Sequence, residues 1–113
     1  MVHSRIIGLG HYVPENIVTN DDLKQWMDTS DEWIRERTGI QQRRYFTYGK
    51  DTNASMATGA SRMAIERAGI SASDIDVIVY ATLSRDYFFP GSAFLMQREL
   101  GLETKPVIDI RQQ

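Results

Sequence analysis

Three short apolar runs set the terms on which this chain can fold: Arg5–Leu9 (RIIGL), Val77–Ala81 (VIVYA) and Pro106–Ile110 (PVIDI). They are rich in β-branched residues and lack the apolar–polar alternation of a strand with one wet face. Such runs read as strands covered on both faces, as in a parallel sheet. Segments with helical signals lie between them, which is the rhythm of an α/β fold.

The predicted order is β-α-α-β-α-β-α-β. Thr19-Asn20-Asp21-Asp22 opens a short helix that runs to about Met27. Thr29-Ser30-Asp31-Glu32 reads as a capping box, in which the hydroxyl accepts from the N3 amide and Glu32 reaches back. The helix behind it runs to about Thr38, and Gly39 stands where a left-handed residue closes a helix. Residues 40–48 are polar and aromatic, an irregular strand or extended arm. Asp51 to Ala54 starts the longest helix. Its Met56, Ala57, Ala60, Met63, Ala64 and Ala68 form one stripe, and the alanines predict close packing against a sheet. Gly69 ends it, and Ser73-Asp74 begins one more turn. Pro90-Gly91-Ser92 precedes a last helix through Leu100, which Gly101 stops.

A length of 113 residues fits about one domain, and 42% hydrophobic with 25% charged side chains is ordinary for a globular chain. No stretch approaches the ~18–20 apolar residues that span a bilayer, so no membrane role is expected. The N-terminus turns polar too early for a secretory signal. A net charge of −2 disfavours nucleic acid as a partner. The absence of cysteine removes disulfides, thiolate metal sites and a cysteine nucleophile from these residues. The cytoplasm is the expected compartment. An α/β sheet places its ligands beyond the carboxyl ends of its strands, and the last strand here ends with the chain. The sequence therefore reads as the front part of a larger protein.

Four features invite a chemical reading. Gly8-Leu9-Gly10 follows the first run, but Val13 stands where a dinucleotide loop needs its third glycine; a tight turn is the better reading. His3 and His11 have neither metal spacing nor a triad around them and read as surface or turn residues. Trp33 and Arg37 lie four apart on one helix face. Either they grip a flat base and a phosphate, or Trp33 fills the core while Arg37 pairs with Glu36 or Asp31. The residues alone favour the second. Arg85-Asp86-Tyr87-Phe88-Phe89-Pro90 puts three aromatics in a loop after a strand. They are tucked under the domain, used at a protein interface, or lining an apolar pocket.

Several stretches together resemble β-ketoacyl-acyl-carrier-protein synthase III, the initiating condensing enzyme of bacterial fatty acid synthesis. They are Ile6–Glu15 (IIGLGHYVPE), Thr19–Leu23 (TNDDL), Asp28–Ile40 (DTSDEWIRERTGI), Ala64–Ile70, Ile75–Thr82 and Phe89–Ala93 (FPGSA). The resemblance covers nearly the whole chain, and the TSDEWIRERTGI stretch is its most specific part. It implies a thiolase-like fold, two similar βαβαβαββ halves in five layers, working as a homodimer. Residues 1–113 would be the N-terminal portion, about half of the first unit and incomplete alone. It further implies that Trp33 stacks on the adenine of coenzyme A, that Arg37 meets a phosphate, and that Thr29 contacts the base while also serving as cap. Phe89 would shape the acyl pocket across the dimer, with a ring there pointing to a short primer.

The resemblance places the catalytic cysteine immediately after Gln113, and the histidine and asparagine of the triad further on. None of the catalytic residues falls within the chain. The implied reaction joins an acyl-coenzyme A, acetyl or another short primer, to malonyl-acyl-carrier protein. Coenzyme A enters as a substrate thioester, with no cofactor and no metal. Two alternatives stand beside it: a related condensing enzyme or acyltransferase of secondary metabolism, and a stand-alone coenzyme A-binding or dimerising module.

Overall fold

A computed structural model describes residues 3–111. In chain order its elements are β1 (Asn16–Thr19), a 3₁₀ turn at Asp22–Gln25, α1 (Asp31–Thr38), β2 (Gln42–Tyr45), α2 (Asn53–Ala68), a 3₁₀ turn at Ala72–Asp74, β3 (Ile78–Ala81), α3 (Ser92–Glu99) and β4 (Val107–Ile110). They fall into two compact units. One is Val13–Asp51; the other joins the segment up to Tyr12 with the chain from Thr52 onward. The expectation attached to Gln112 and Gln113 lies outside the described residues.

In the Val13–Asp51 unit, β1 and β2 pair antiparallel, with Asn16 opposite Tyr45 and Thr19 opposite Gln42. The extended character expected of residues 40–48 is realised in β2. Only Val18, Leu23 and Ile34 form its apolar core. The short helix expected from Thr19 is a single 3₁₀ turn. Asp22 is drawn back instead: its Oδ2 accepts from the Thr19 amide at 2.8 Å and the Thr19 hydroxyl at 2.6 Å. Those bonds hold the carboxyl below its ordinary pKa.

The start of α1 differs from the expected capping box. The N-cap is Ser30, whose hydroxyl accepts from the Trp33 amide at 3.1 Å. With Ser30 as cap, the third helical residue is Trp33, so Glu32 is one position too early to reach back. Thr29 therefore has no capping duty. The other end follows the sequence: Gly39, at φ +72°, donates to the Arg35 carbonyl. A side chain there would meet the steric penalty of the left-handed region.

In the other unit β3 and β4 pair in parallel, with Ile78 opposite Val107 and Ala81 opposite Ile110. Ile78, Tyr80, Ala93, Met96 and Leu102 form the core, and Ala57, Ala72, Ile75, Leu100 and Val107 pack against it. The expectation that these strands are covered on both faces is not met among the described residues. Val79 alternates with the buried Ile78 and Tyr80, and Ile108 with the half-buried Val107 and Asp109; they are 60% and 52% exposed. Among the described residues the helices pack on one face of this pair.

The larger correction concerns Arg5–Leu9, which is not a strand among the described residues. Composition favours a strand but cannot supply a neighbour to pair with. Here the segment lies along α2 instead. A Cβ on Gly8 would fall 2.2 Å from the Ala64 carbonyl oxygen, and one on Gly10 would fall 2.0 Å from that of Ala60. Arg67 Nη1 donates to the Leu9 carbonyl at 3.1 Å. The alanine stripe does support close packing, but its partner here is a glycine-bearing extended segment. These glycines serve close backbone approach rather than the tight turn expected of them.

Thr52 caps α2 in a reciprocal box with Ser55, and Gly69 closes it. α3 begins after Gly91 and ends before Gly101, as its flanking residues predict.

Two outcomes follow from this packing. Gly10→Ala forces backbone apart and should cost roughly 1–3 kcal/mol in chemical denaturation, the range of core overpacking. Ser30→Ala removes the α1 cap and should cost about 1 kcal/mol, whereas Thr29→Ala should stay within about 0.5 kcal/mol of the parent. Equal losses at 29 and 30 would return the cap to Thr29.

Candidate functional site

The first candidate surface is the exposed side of α1. Ile34 is the residue of this helix that enters the core. Trp33 is one position away, about 100° around the helix, and Arg37 is one turn beyond Trp33. Fixing Ile34 inward therefore turns both toward solvent. Trp33 is 53% exposed, and the Arg37 guanidinium carbon lies 4.4 Å from the centre of its ring. This contradicts the preferred expectation of a core tryptophan. Asp31, one proposed partner for Arg37, is engaged by Arg35 at 3.2 Å and by Asn20 at 2.8 Å. Those bonds, Asn20's foremost, hold its carboxyl below the ordinary range.

A shallow depression of about 330 Å³ lies at the foot of α1, lined by Asp28, Thr29, Ser30 and Trp33. Thr29, freed from capping, thus shares a concavity with the indole. The structure brings Thr29 and Trp33 together at the start of α1 and sets Arg37, one turn further along, over the Trp33 ring. The combination offers a flat ring, a guanidinium fork and a small hydroxyl, which suits a ligand with an aromatic base and an anionic group.

Residues that sequence reasoning did not single out hold this helix. Asn20 is 1% exposed. Its amide nitrogen donates to Asp31 Oδ1 at 2.8 Å and to the Ile40 carbonyl at 2.7 Å. Its amide oxygen accepts from Arg43 Nη2 at 2.6 Å. In the sequence Asn20 sits in a Thr-Asn-Asp-Asp string that looks like a helix start, which conceals its burial.

Phe89 belongs to the other unit. The 85–90 loop is not tucked away among the described residues: Tyr87, Phe88 and Phe89 are 60%, 79% and 86% exposed. Arg85 lies over the Phe88 ring at 4.2 Å, and the Phe89–Pro90 bond is cis. The loop is anchored by Asp86, whose carboxylate accepts from the Asn53 and Ala54 amides at 2.5 and 2.9 Å at the start of α2. The Asp86 amide in turn donates to Ser92 Oγ at 3.0 Å, at the start of α3. A carboxylate on a helix N-terminus satisfies otherwise orphaned donors. Tyr80 donates nearby to the Asn53 side chain. Burial, with Asp86 and Asp109 adding to it, pushes the Tyr80 phenol up to about 12. His3 and His11 are exposed, as expected. Among the described residues no cluster of His, Asp and Glu could hold a metal ion, and no helix is long and apolar enough to cross a membrane.

Comparison with known proteins bears on this geometry. No family model matches the chain. A β-ketoacyl-acyl-carrier-protein synthase III of Methylococcus capsulatus is 48% identical over 109 residues, 96% of this chain and 34% of the relative. The crystal structure of the Aquifex aeolicus 3-oxoacyl-acyl-carrier-protein synthase III superposes with a TM-score of 0.88 at 42% identity, over 96% of this chain and 34% of that one. The priming β-ketosynthase of the R1128 polyketide pathway follows with a TM-score of 0.86 at 34% identity, over 94% and 31%. The chain spans about a third of the length of the curated relatives it matches. In sequence, and in an α/β architecture that is part of a thiolase-like fold, these residues are similar over nearly their whole length to one third of a β-ketoacyl-acyl-carrier-protein synthase III.

Proposed function

We propose that the chain is the N-terminal portion of an acyltransferase that starts fatty acid synthesis, condensing an acyl-coenzyme A with malonyl-acyl-carrier protein. The products are 3-oxoacyl-acyl-carrier protein, carbon dioxide and coenzyme A. The observation that carries this reading is the exposed Trp33–Arg37 stack beside Thr29, in a chain 48% identical to a synthase III. In this role Trp33 stacks on the adenine, Arg37 meets a phosphate and Thr29 contacts the base. Coenzyme A is a substrate here, not a resident cofactor.

The covalent step falls to residues outside these 113, which include no cysteine. A thiolate attacks the acyl thioester and releases coenzyme A. Loss of carbon dioxide from the malonyl group leaves an enolate, whose carbon attacks the acyl-enzyme carbonyl and frees the thiolate. Donors aimed at the enolate oxygen lower that barrier. The enzyme would act in the cytoplasm as a homodimer. The exposed aromatic loop supports the dimer, because adjacent rings this open to water call for a cover. A secondary-metabolism condensing enzyme is placed second, since the polyketide relative is the less similar one.

The test uses the full-length polypeptide that completes the relatives' length. Trp33→Ala should weaken coenzyme A binding by roughly 1–3 kcal/mol in calorimetric titration, the worth of a base–aromatic stack, with little change in melting temperature. Intact binding would overturn the assignment of this surface.

Phe89→Thr should raise kcat/KM for medium-chain acyl-coenzyme A relative to acetyl-coenzyme A. The gain should build by up to about 0.8 kcal/mol for each methylene the new space admits. An unchanged chain-length profile in a folded dimer would make Phe89 interface packing alone.

A further inference from the structure

We infer that Asn20 is a positioning residue for coenzyme A binding, acting through α1; the inference rests on the function proposed above. The buried amide reaches both ends of this helix. One Nδ2 hydrogen goes to Asp31, the first helical residue, at 2.8 Å. The other goes to the Ile40 carbonyl, just past the closing Gly39, at 2.7 Å. The amide oxygen is held by Arg43 on β2 at 2.6 Å, and Arg43 also donates to the Val18 carbonyl on β1 at 3.3 Å. The Asn20 backbone amide donates to the Gln41 carbonyl at 3.2 Å. A single side chain thus fastens the two ends of α1 to the β1–β2 ladder.

The helix it fastens carries Trp33 and Arg37 on its outer side, and only Ile34 roots it in the core. One apolar anchor sets which face of the helix points inward but leaves its tilt and fine rotation loosely held. Two hydrogen bonds at opposite ends fix both. A rotation would carry the indole and the guanidinium away from the Thr29 depression together. Asn20 touches neither of them, so its effect on ligand binding passes through the placement of α1.

Asn20→Asp keeps the shape and the Arg43 bond but replaces both donors and sets a carboxylate against Asp31. In the full-length polypeptide this should raise KM for acyl-coenzyme A about tenfold, with kcat within about twofold, the scale of one lost charge-assisted hydrogen bond. Adding Asp31→Asn restores a donor–acceptor pair at that end with the roles exchanged, and should recover part of the KM. A structural role alone gives a lower melting temperature with KM unchanged, and that result overturns the proposal, as does a double variant that binds no better than Asn20→Asp. Should Asn20→Asp fail to fold, Arg43→Met removes the donor of the 2.6 Å bond that orients the amide; an unchanged KM there has the same meaning. Trp33→Ala, measured alongside, separates the two levels. If it weakens binding while the Asn20 and Arg43 variants do not, only this inference falls; if it does not, the coenzyme A reading falls first.

Discussion

The arrangement of the Val13–Asp51 unit depends on a buried amide more than on its oil. Three apolar side chains make the core of this unit, which is too few to specify one geometry by shape. Asn20 does what they cannot. A primary amide taken out of water must find partners for its two donors and its acceptor, and here each is met. Any packing that leaves one unmet costs about 1–3 kcal/mol. That penalty separates the observed arrangement from its near neighbours, which apolar contacts alone would leave close in energy.

The other unit uses a different device. Its close contact is made where glycines meet alanines: Gly8 and Gly10 let the extended segment come within touching distance of α2, and Arg67 secures it at the Leu9 carbonyl. Tight packing of small groups has little tolerance for added volume. The parallel pair β3–β4 is covered by helices on one face. The loop after β3 and the starts of α2 and α3 are linked through Asp86 and Ser92. The aromatic loop therefore leaves a fixed base, although the rings themselves are open to solvent.

Much of this was legible because much of it is local. Gly39, Gly69 and Gly101 mark helix ends by a backbone preference that needs no tertiary partner. The parallel pairing of the Val77 and Pro106 runs follows from β-branched composition with a helix between them. What failed was non-local. The composition of Arg5–Leu9 is that of a strand, but strands are made by neighbours, and the described residues place a helix beside this one. Thr29 and Ser30 each carry a hydroxyl, and the Thr29–Glu32 spacing fits a capping box. The Ser30–Trp33 hydrogen bond is chosen by where α1 begins, which the core contact of Ile34 and the Asn20–Asp31 bond decide. The burial of Asn20 has no signal in its own neighbourhood of the sequence.

The same consideration bears on the proposed coenzyme A surface, where Arg37 lies over Trp33 instead of in the ion pair that the sequence favoured. Arg37 lies in the last turn of α1, where helix carbonyls point outward and repel an anion. The helix dipole therefore gives a phosphate no help, and the guanidinium must supply the attraction itself. Had Arg37 paired with Glu36 or Asp31, its in-plane N–H donors would be spent. Over the Trp33 ring it is held by a cation–π contact that uses none of its N–H donors. Asp31 is meanwhile occupied by Asn20 and Arg35. The contact thus places the cation while sparing its hydrogen bonds, and in the proposed role a cation placed before binding would lose less entropy on binding.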